Sequence, residues 1–286
     1  MTAIIDETIA RRPLPIGNAL RGCNGKYEHM PDSLNLQGKV VIVTGGTKGI
    51  GRGIAERFLQ AGCEVIVCAR SAPEKLPAAA GRKALFVATD VRDNEQVQGL
   101  IDFAINQFRR LDILVNNAGG APPADAASAS PRFSEAIIGL NLLAPLNLSQ
   151  AANRVMQLQQ SGGCIINIAS ISGVRPSPGT AAYGAAKAGL LSLTTSLAIE
   201  WAPKVRVNAI TAGLVLTEQS HLHYGDQQGT EAVAATIPMQ RLGTPNDIGD
   251  TCLYLASGLA NYVSGASIMV HGGGEMPAFL TATRGQ

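Results

Sequence analysis

The sequence predicts an α/β fold in which seven parallel strands form one doubly wound sheet. Seven short runs of apolar, mostly β-branched residues recur along the 286 residues, as expected of strands buried on both faces. Segments of helical length and periodicity separate these runs, and this alternation is typical of a parallel sheet with right-handed crossovers. The composition, 46% hydrophobic and 15% charged, agrees with a large buried core and excludes a disordered chain.

The predicted strands cover residues 39–44, 64–69, 84–88, 111–115, 164–168, 205–209 and 267–270. The clearest predicted helices cover residues 50–59, 97–108 and 181–199. No change of composition divides residues 36–274, so we interpret them as one domain, with an N-terminal extension over 1–35 and a C-terminal tail over 275–286. Residues 214–243 lack a strand pattern and are predicted to form a lid over the carboxyl edge of the sheet, where open α/β folds bind ligands.

Charge and cysteine content exclude several classes of protein. A net charge of +2 excludes a strongly basic nucleic-acid binder, and 4% aromatic residues argue against stacking on single strands. No uncharged apolar run reaches the ~18 residues of a membrane span, and the first residues lack a secretory signal. Five cysteines without a C-x-x-C pair indicate free thiols in a reducing compartment. We therefore expect a cytoplasmic protein with no nucleic-acid and no membrane partner.

The glycine-rich segment 44–51, Thr-Gly-Gly-Thr-Lys-Gly-Ile-Gly, joins the first predicted strand to the first predicted helix. Gly45 allows the chain to turn, and Gly49 and Gly51 lack the Cβ atoms that would keep a pyrophosphate from the backbone N–H groups. A tight β–α turn would explain only one or two of these glycines. The segment therefore predicts a Rossmann-type nucleotide site.

The end of the second predicted strand indicates which nucleotide binds. NAD sites place an acidic residue there, whereas NADP sites use arginine for the 2′-phosphate. This chain has Ala69 at that point, followed by Arg70, and Lys48 lies in the glycine loop on the same edge. Two cations and no carboxylate favour NADP(H), and NAD(H) is the alternative if both cations are merely solvated.

Tyr183 and Lys187 are four residues apart in a predicted helix, so their side chains share one face. A nearby cation stabilises a phenolate, and we expect Lys187 to lower the pKa of Tyr183 from its usual value of about 10. This pair alone is a weak signal, but Ser170 ends a buried strand shortly before it, and Asn141 lies in an otherwise apolar helix. The fourth predicted strand ends in 116–119, Asn-Asn-Ala-Gly.

Taken together, these residues resemble the short-chain dehydrogenase/reductases whose subunits have about 250 residues. The likeness covers residues 36–274, and the 3-oxoacyl-thioester reductases are the most similar branch. The matching positions are the loop 44–51, Asp90, Val91, 116–119, Asn141, Ser170, Tyr183, Lys187, 206–208, 241–248, Gly272 and Gly273.

The resemblance implies a role for each site residue. Tyr183 would act as general acid or base, Lys187 would lower its pKa and bind the nicotinamide ribose, and Ser170 would hydrogen-bond the substrate oxygen. Asn141 would hold a water in a proton relay. The implied cofactor-binding residues are Gly45, Thr47, Lys48, Gly49, Ile50, Gly51, Arg70, Asp90, Val91, Asn117, Ala118, Gly119, Tyr183, Lys187, Gly213, Val215 and Thr217.

No metal site is expected, because His221 and His223 have no carboxylate or cysteine at ligand spacing and indicate a polar loop. Two positions depart from the family pattern. Ala212 replaces a proline, which puts the lid geometry in question, and His271 replaces an aspartate near a subunit interface. A solvated or stacked histidine is the simpler interpretation of His271, and a pH-sensitive interface is the alternative.

Substrate character is inferred from two surfaces. The turn 157–163 has no positive charge, which argues against an acidic carrier protein as partner. The lid carries few charges, and its apolar residues are Leu214, Val215, Leu216, Leu222, Tyr224 and Met239. We expect a neutral, apolar ketone or secondary alcohol.

The sequence thus predicts an NADP(H)-dependent oxidoreductase that acts on a CH–OH donor or the matching ketone by hydride transfer. An NAD-dependent catabolic dehydrogenase for a lipid, terpenoid or steroid-like alcohol is the alternative enzyme. A non-catalytic nucleotide sensor is disfavoured, because all four catalytic positions are present. The resemblance implies a homotetramer, and the leucines on several faces of helix 181–199 and the apolar segment 276–280 agree with it.

Overall fold

A computed structural model of the chain describes residues 34–220, 224–277 and 279–280. The chain divides into two units, Met1–Ser33 and Leu34–Gln286, and the first lies outside the described residues. The predicted extension over residues 1–35 and the end of the predicted tail therefore stay predictions. Leu222, His221 and His223 of the predicted lid also lie outside the described residues, as does Cys23.

Seven strands form a single sheet, and every neighbouring pair is parallel. The strands are β1 (Val40–Thr44), β2 (Glu64–Ala69), β5 (Leu85–Ala88), β6 (Ile113–Asn116), β7 (Gly163–Ser170), β8 (Val205–Ala212) and β9 (Ser267–Val270). The predicted seven-stranded parallel sheet is confirmed. A small antiparallel hairpin, β3 (Ala78–Ala79) with β4 (Arg82–Lys83), was not predicted, because two-residue strands are too short to produce a pattern.

Seven α-helices accompany the strands in the described residues. They are α1 (Gly49–Gln60), α2 (Asn94–Phe108), α3 (Pro131–Ile138), α4 (Ala144–Met156), α5 (Ala181–Glu200), α6 (Gln227–Ala235) and α7 (Pro245–Ala256). Local sequence defines several helix starts: the Asp93 side chain caps α2, and Thr244 with Asp247 forms a capping box on α7.

Alternation along β1 explains why its sequence is apolar throughout. Val41 and Val43 pack into the core cluster on one face of the sheet, whereas Val40 and Ile42 pack into the cluster on the other face. Helices α1 and α7 cover the first face, and α2, α4 and α5 cover the second. Burial on both faces removes the polar alternation of a half-exposed strand.

The strand order β5-β2-β1-β6-β7-β8-β9 places the topological switch point between β1 and β6. Connections leave in opposite directions there, so a crevice opens at the carboxyl ends of these strands. The predicted lid begins and ends beside this edge. Val215 pairs with Gly243, and backbone hydrogen bonds of 2.8 and 2.9 Å join the two ends of the insertion. Among the described residues, no helix has the length and apolar character to cross a bilayer.

Candidate active site

A cavity of about 540 Å³ occupies the crevice at the switch point. The glycine loop, the ends of β2, β6, β7 and β8, and the N-terminal part of α5 contribute to its walls. Of the predicted cofactor-binding residues, it is lined by Gly45, Lys48, Gly49, Ile50, Gly51, Arg70, Asp90, Val91, Asn117, Ala118, Gly119, Tyr183, Lys187, Gly213 and Thr217. The structure thus brings together residues that are up to 172 positions apart, from Gly45 to Thr217.

Two predicted cofactor residues do not line this cavity. The Val215 side chain is buried in the core cluster beneath α1 and α7, because its residue pairs with Gly243 at the base of the lid. Thr47 lies in the glycine loop but is not part of the cavity wall. The sequence also missed residues that do line it, among them Arg92, Leu140 and Gln219.

The glycine loop has the backbone geometry that the sequence predicts for it. Gly45 and Gly49 have φ values of +62° and +53°, a region that other residues rarely adopt. A Cβ atom on Gly51 would lie 2.3 Å from the Gly45 carbonyl oxygen and 2.4 Å from Nδ2 of Asn117. Asn117 in turn donates a hydrogen bond of 2.8 Å to the carbonyl oxygen of Thr44, which fixes the loop to the end of β6.

Three cations and one carboxylate surround the end of the cavity beyond β2. Lys48, Arg70 and Arg92 all line it, and Arg92 donates to the Asp90 carboxylate, with a distance of 2.9 Å from Nε to Oδ1. This hydrogen bond, assisted by the nearby charge of Arg70, lowers the pKa of Asp90 to about 2. Lys48 and Arg70 form no ion pair within the described part of the chain. Both side chains line the cavity wall, and Arg70 also acts on the Asp90 carboxylate through its charge.

Ser170, Tyr183 and Lys187 meet at the opposite end. Ser170 is the last residue of β7 and lines the cavity together with Tyr183. Lys187 lies one helical turn beyond Tyr183 in α5, and its Nζ is 5.6 Å from the centre of the Tyr183 ring. Lys187 is only 3% exposed, and Nζ donates a hydrogen bond of 2.8 Å to the Ile168 carbonyl oxygen.

Burial shifts the pKa values of this pair. It lowers the pKa of Lys187 to about 8, because an ammonium ion loses hydration there. It raises the pKa of Tyr183 above its usual value, and the nearby Ser170 side chain opposes that rise. The expectation that Lys187 lowers the pKa of Tyr183 is thus not met here, because desolvation of the phenolate dominates. Tyr183 is a neutral phenol at neutral pH, the form that can donate a proton.

Asn141 lies behind this group and not in the cavity wall. It belongs to a π-helical turn, Gly139–Leu143, that joins α3 to α4, where the sequence predicted a plain helix. Its Oδ1 accepts a hydrogen bond of 2.9 Å from the backbone N–H of Gly120, and its Nδ2 donates to the Gly120 and Ile137 carbonyls. A Cβ on Gly119 would come within 2.7 Å of Asn141 Oδ1 and 3.3 Å of Lys187 Nζ. Asn141 thus holds the loop after β6 close to Lys187.

The two departures from the family pattern have structural counterparts. Ala212 is buried within β8, in register with Ser170 on one side and Val270 on the other. His271 follows β9 and packs directly behind Gly213, where an added Cβ would lie 2.6 Å from the His271 Cβ. Ala212 therefore lines the cavity beside Gly213, whereas His271 supports the Gly213 backbone without lining it.

The residues present fit a dinucleotide. The glycine loop lacks the side chains that would keep a pyrophosphate from the N-terminus of α1, and Lys48 and Arg70 bring positive charge to the same cavity. Lys187 and Tyr183 stand at the far end, as a nicotinamide ribose requires. Among residues 34–220, 224–277 and 279–280, no group of three His, Cys, Asp or Glu side chains is placed to hold a metal ion.

Comparison with known proteins agrees with this architecture. A family model described as Enoyl-(Acyl carrier protein) reductase matches residues 45–275. The peroxisomal 2,4-dienoyl-CoA reductase of Rattus norvegicus is 35% identical over 264 residues, which cover 89% of each chain. The 2-dehydro-3-deoxy-D-gluconate 5-dehydrogenase of Escherichia coli is 35% identical over 245 residues, which cover 84% of this chain and 97% of that enzyme.

A solved structure is similar as well. The ligand-free aldohexose dehydrogenase of Thermoplasma acidophilum matches with a TM-score of 0.77 and 31% identity, over 83% of this chain and 94% of that one. The names of these three relatives describe different substrates on one kind of fold. Substrate choice therefore depends on residues outside the shared motifs.

Proposed function

The chain belongs to the short-chain dehydrogenase/reductase family of oxidoreductases, and from that premise we propose that it interconverts a ketone and a secondary alcohol with NADP(H). The observation that carries the proposal is that Ser170, Tyr183 and Lys187 line the wall of one cavity, with Lys187 one helical turn beyond Tyr183. Two hydroxyls that converge on one point are suited to bind a single carbonyl oxygen.

The proposed chemistry divides the work between cofactor and protein. A bound nicotinamide supplies or accepts the hydride. The Tyr183 phenol donates its proton to the substrate oxygen during reduction and accepts it during oxidation. The Ser170 hydroxyl stabilises the negative charge that develops on that oxygen, and the Lys187 ammonium stabilises the phenolate left on Tyr183.

Asn141 is proposed to position other groups without contacting the substrate itself. Its side chain fixes the Gly120 backbone, and Gly119 lies within close reach of both Asn141 and Lys187. This position suits a group that orients a water-mediated path by which Lys187 exchanges protons with solvent. Asn141 is thus a positioning residue in the proposal.

Several contacts support NADP(H) over NAD(H). No carboxylate stands at the end of β2, where Ala69 and Arg70 follow Cys68. The nearest carboxylate in the wall, Asp90, is already paired with Arg92 and so is engaged before a ribose hydroxyl could bind it. Lys48 and Arg70 are left to pair with a 2′-phosphate.

A homotetramer in the cytoplasm completes the proposal. Cys63, Cys68, Cys164 and Cys252 are free and buried, and burial raises the pKa of the Cys63 and Cys68 thiols to about 12. Unpaired thiols agree with a reducing compartment. Exposed apolar side chains on α5 and β9, such as Ile199 and Met269, suit subunit contacts.

The test is a hydride-transfer assay. The purified chain is offered neutral ketones, the matching secondary alcohols and an enoyl thioester, each with NADPH or NADP⁺ and with NADH or NAD⁺. Ketone reduction with NADPH is the expected activity. Reduction of the enoyl thioester alone would assign the chain to carbon–carbon double bonds, and no turnover with any pair would support a nucleotide sensor.

A further inference from the structure

The structure contains a second cavity that shares a wall with the first. It measures about 350 Å³ and lies between the loop that follows β6, helix α3 and the N-terminal turns of α5. Tyr183 lines both cavities. The second cavity therefore begins at the ring whose hydroxyl would hold the substrate oxygen.

The lining of the second cavity is apolar and uncharged. Seven of its fourteen lining residues are alanines, and the larger apolar surfaces come from Pro122, Phe133 and Ile137. Its polar side chains are hydroxyls, and no charged residue of the described chain contributes to the wall. A charged group buried there would lose its hydration without gaining a partner, which is strongly unfavourable. The lining therefore selects a neutral group.

Hydrogen bonds hold the walls of this cavity in place. The Ala124 N–H donates to the Gly179 carbonyl oxygen at 2.8 Å, which ties the loop after β6 to the segment before α5. The Ser130 hydroxyl accepts from the Phe133 N–H at 3.2 Å and caps α3. The cavity is thus built into the fold and needs no closure to form.

Cavity size limits what can enter. Sites for small ligands commonly measure about 300–1,000 Å³, so a volume of about 350 Å³ is at the lower end of that range. We propose that this cavity receives the apolar group attached to the reacting carbon, and that the group is a compact alkyl or alicyclic one. This inference rests on the proposed reduction of ketones.

Two leucine variants of α5 test the assignment. Ala185 and Ala188 are both exposed on α5, but only Ala185 lines the second cavity, and Ala188 lines neither cavity. Leucine is a good helix former, so Ala185→Leu and Ala188→Leu should both fold. We expect Ala185→Leu to lower kcat/KM for cyclohexyl methyl ketone about tenfold relative to butanone, as a misfit of a few methylene groups does elsewhere. Ala188→Leu should leave the ratio of the two substrates unchanged.

The reverse change enlarges the cavity. Phe133→Ala should raise kcat/KM for a ketone with a larger ring, such as cyclooctyl methyl ketone, relative to butanone, because it removes a large ring from the wall. Equal loss of both substrates in Ala185→Leu, with no gain in Phe133→Ala, would overturn the proposal. So would a change in sedimentation of Ala185→Leu without a change in the ratio, which would show that a second subunit covers the cavity.

A binding measurement separates this inference from the proposed function. Calorimetric titration of the parent protein with 1-cyclohexylethanol in the presence of NADPH needs no turnover, because an alcohol and a reduced cofactor cannot react with each other. Binding that Ala185→Leu abolishes and Ala188→Leu retains would support the cavity assignment even if no ketone were reduced. Equal binding by all three proteins would refute it even if ketones were reduced.

Discussion

The Glu218 carboxylate accepts a hydrogen bond of 2.8 Å from the backbone N–H of Gly49, the first residue of α1. Glu218 belongs to the lid and follows Thr217, whose methyl carbon lies near the Gly49 position. The N-terminus of a helix offers unpaired N–H groups and the positive end of its dipole, so it attracts an anion. The Glu218 side chain and a bound pyrophosphate therefore compete for the same donors.

Removing this negative charge should strengthen cofactor binding. We expect Glu218→Gln to lower the Kd for NADPH about fivefold, because the charge is lost while the amide oxygen still accepts from Gly49. Fluorescence titration of the cofactor measures the change. Glu231→Gln on α6 is the matched control, since Glu231 pairs with Gln227 on the exposed face of the lid and should leave Kd unaltered. An unchanged or higher Kd in Glu218→Gln would show that the carboxylate does not compete.

Cofactor preference should depend on Arg70. The parent enzyme should use NADPH with a kcat/KM at least about tenfold above that for NADH, because each well-formed charge-assisted contact to the 2′-phosphate stabilises the complex. Arg70→Asp should reverse the preference by repelling the phosphate and accepting from the ribose hydroxyls. Arg109→Asp is the control: Arg109 precedes β6 with φ of 60°, a conformation that aspartate tolerates. Equal use of both cofactors by the parent would contradict the prediction.

The sheet can be predicted from the sequence more completely than the site can. Strands such as β1 are predictable because burial on both faces requires an apolar residue at every position. The glycine loop is predictable because its backbone segments lie too close together for any residue with a Cβ atom. Arg92 was missed because its sequence context resembles a solvated turn, and only its pairing with Asp90 places it at the cavity.

The second cavity could not be predicted for a different reason. Its walls come from the loop after β6, from α3 and from α5, and small side chains in three separate segments give no joint signal in one sequence. The pKa of Tyr183 was predicted in the wrong direction, because the spacing to Lys187 is visible in the sequence and the burial of the phenol is not. Properties that depend on residues close together in the sequence are thus predictable. Properties that depend on packing between distant segments are not.

Replacing the phenol should abolish turnover and leave the fold intact. Tyr183→Phe keeps the ring that lines both cavities and removes the proton, so kcat should fall by about 10²–10⁴-fold, the usual contribution of general acid catalysis. The Kd for NADPH should stay close to the parent value. Tyr254→Phe, at a partly exposed position on α7, is the control and should remain active. Activity of Tyr183→Phe within about threefold of the parent would show that another group donates the proton.

The rate of ketone reduction should fall as the pH rises through about 8. Below that pH Lys187 carries its proton, since burial lowers its pKa only to about 8, and the neutral Tyr183 phenol is available as an acid. Above it the lysine becomes neutral and no longer stabilises the developing phenolate. Alcohol oxidation needs the Tyr183 phenolate, so its rate should increase toward the raised pKa of Tyr183 and not at the pKa of Lys187. A kcat/KM for reduction that stays flat between about pH 6 and pH 10 would contradict this assignment.

The chain should assemble into a homotetramer through two separate faces. Strand β9 pairs with β8 on one side only, so its other edge has unpaired backbone groups that can bind another strand. Its residue Met269 is 50% exposed, and contact with a second subunit would bury this apolar side chain. Ile199 at the end of α5 is 82% exposed and lies on a different element, so a second contact surface is available. Two self-complementary faces on one subunit generate a tetramer with twofold axes.

Sedimentation velocity tests this arrangement. The parent should behave as one species with the mass of four 29.7 kDa chains at micromolar concentration. Met269→Lys places a charge on the free edge of β9, where lysine opposes strand pairing, and should yield dimers that keep the α5 contact. Leu158→Lys, an exposed position in the turn before β7, should leave the tetramer intact. A parent protein that sediments as a monomer, or a Met269→Lys variant that remains a tetramer, would show that the β9 edge is not a subunit contact.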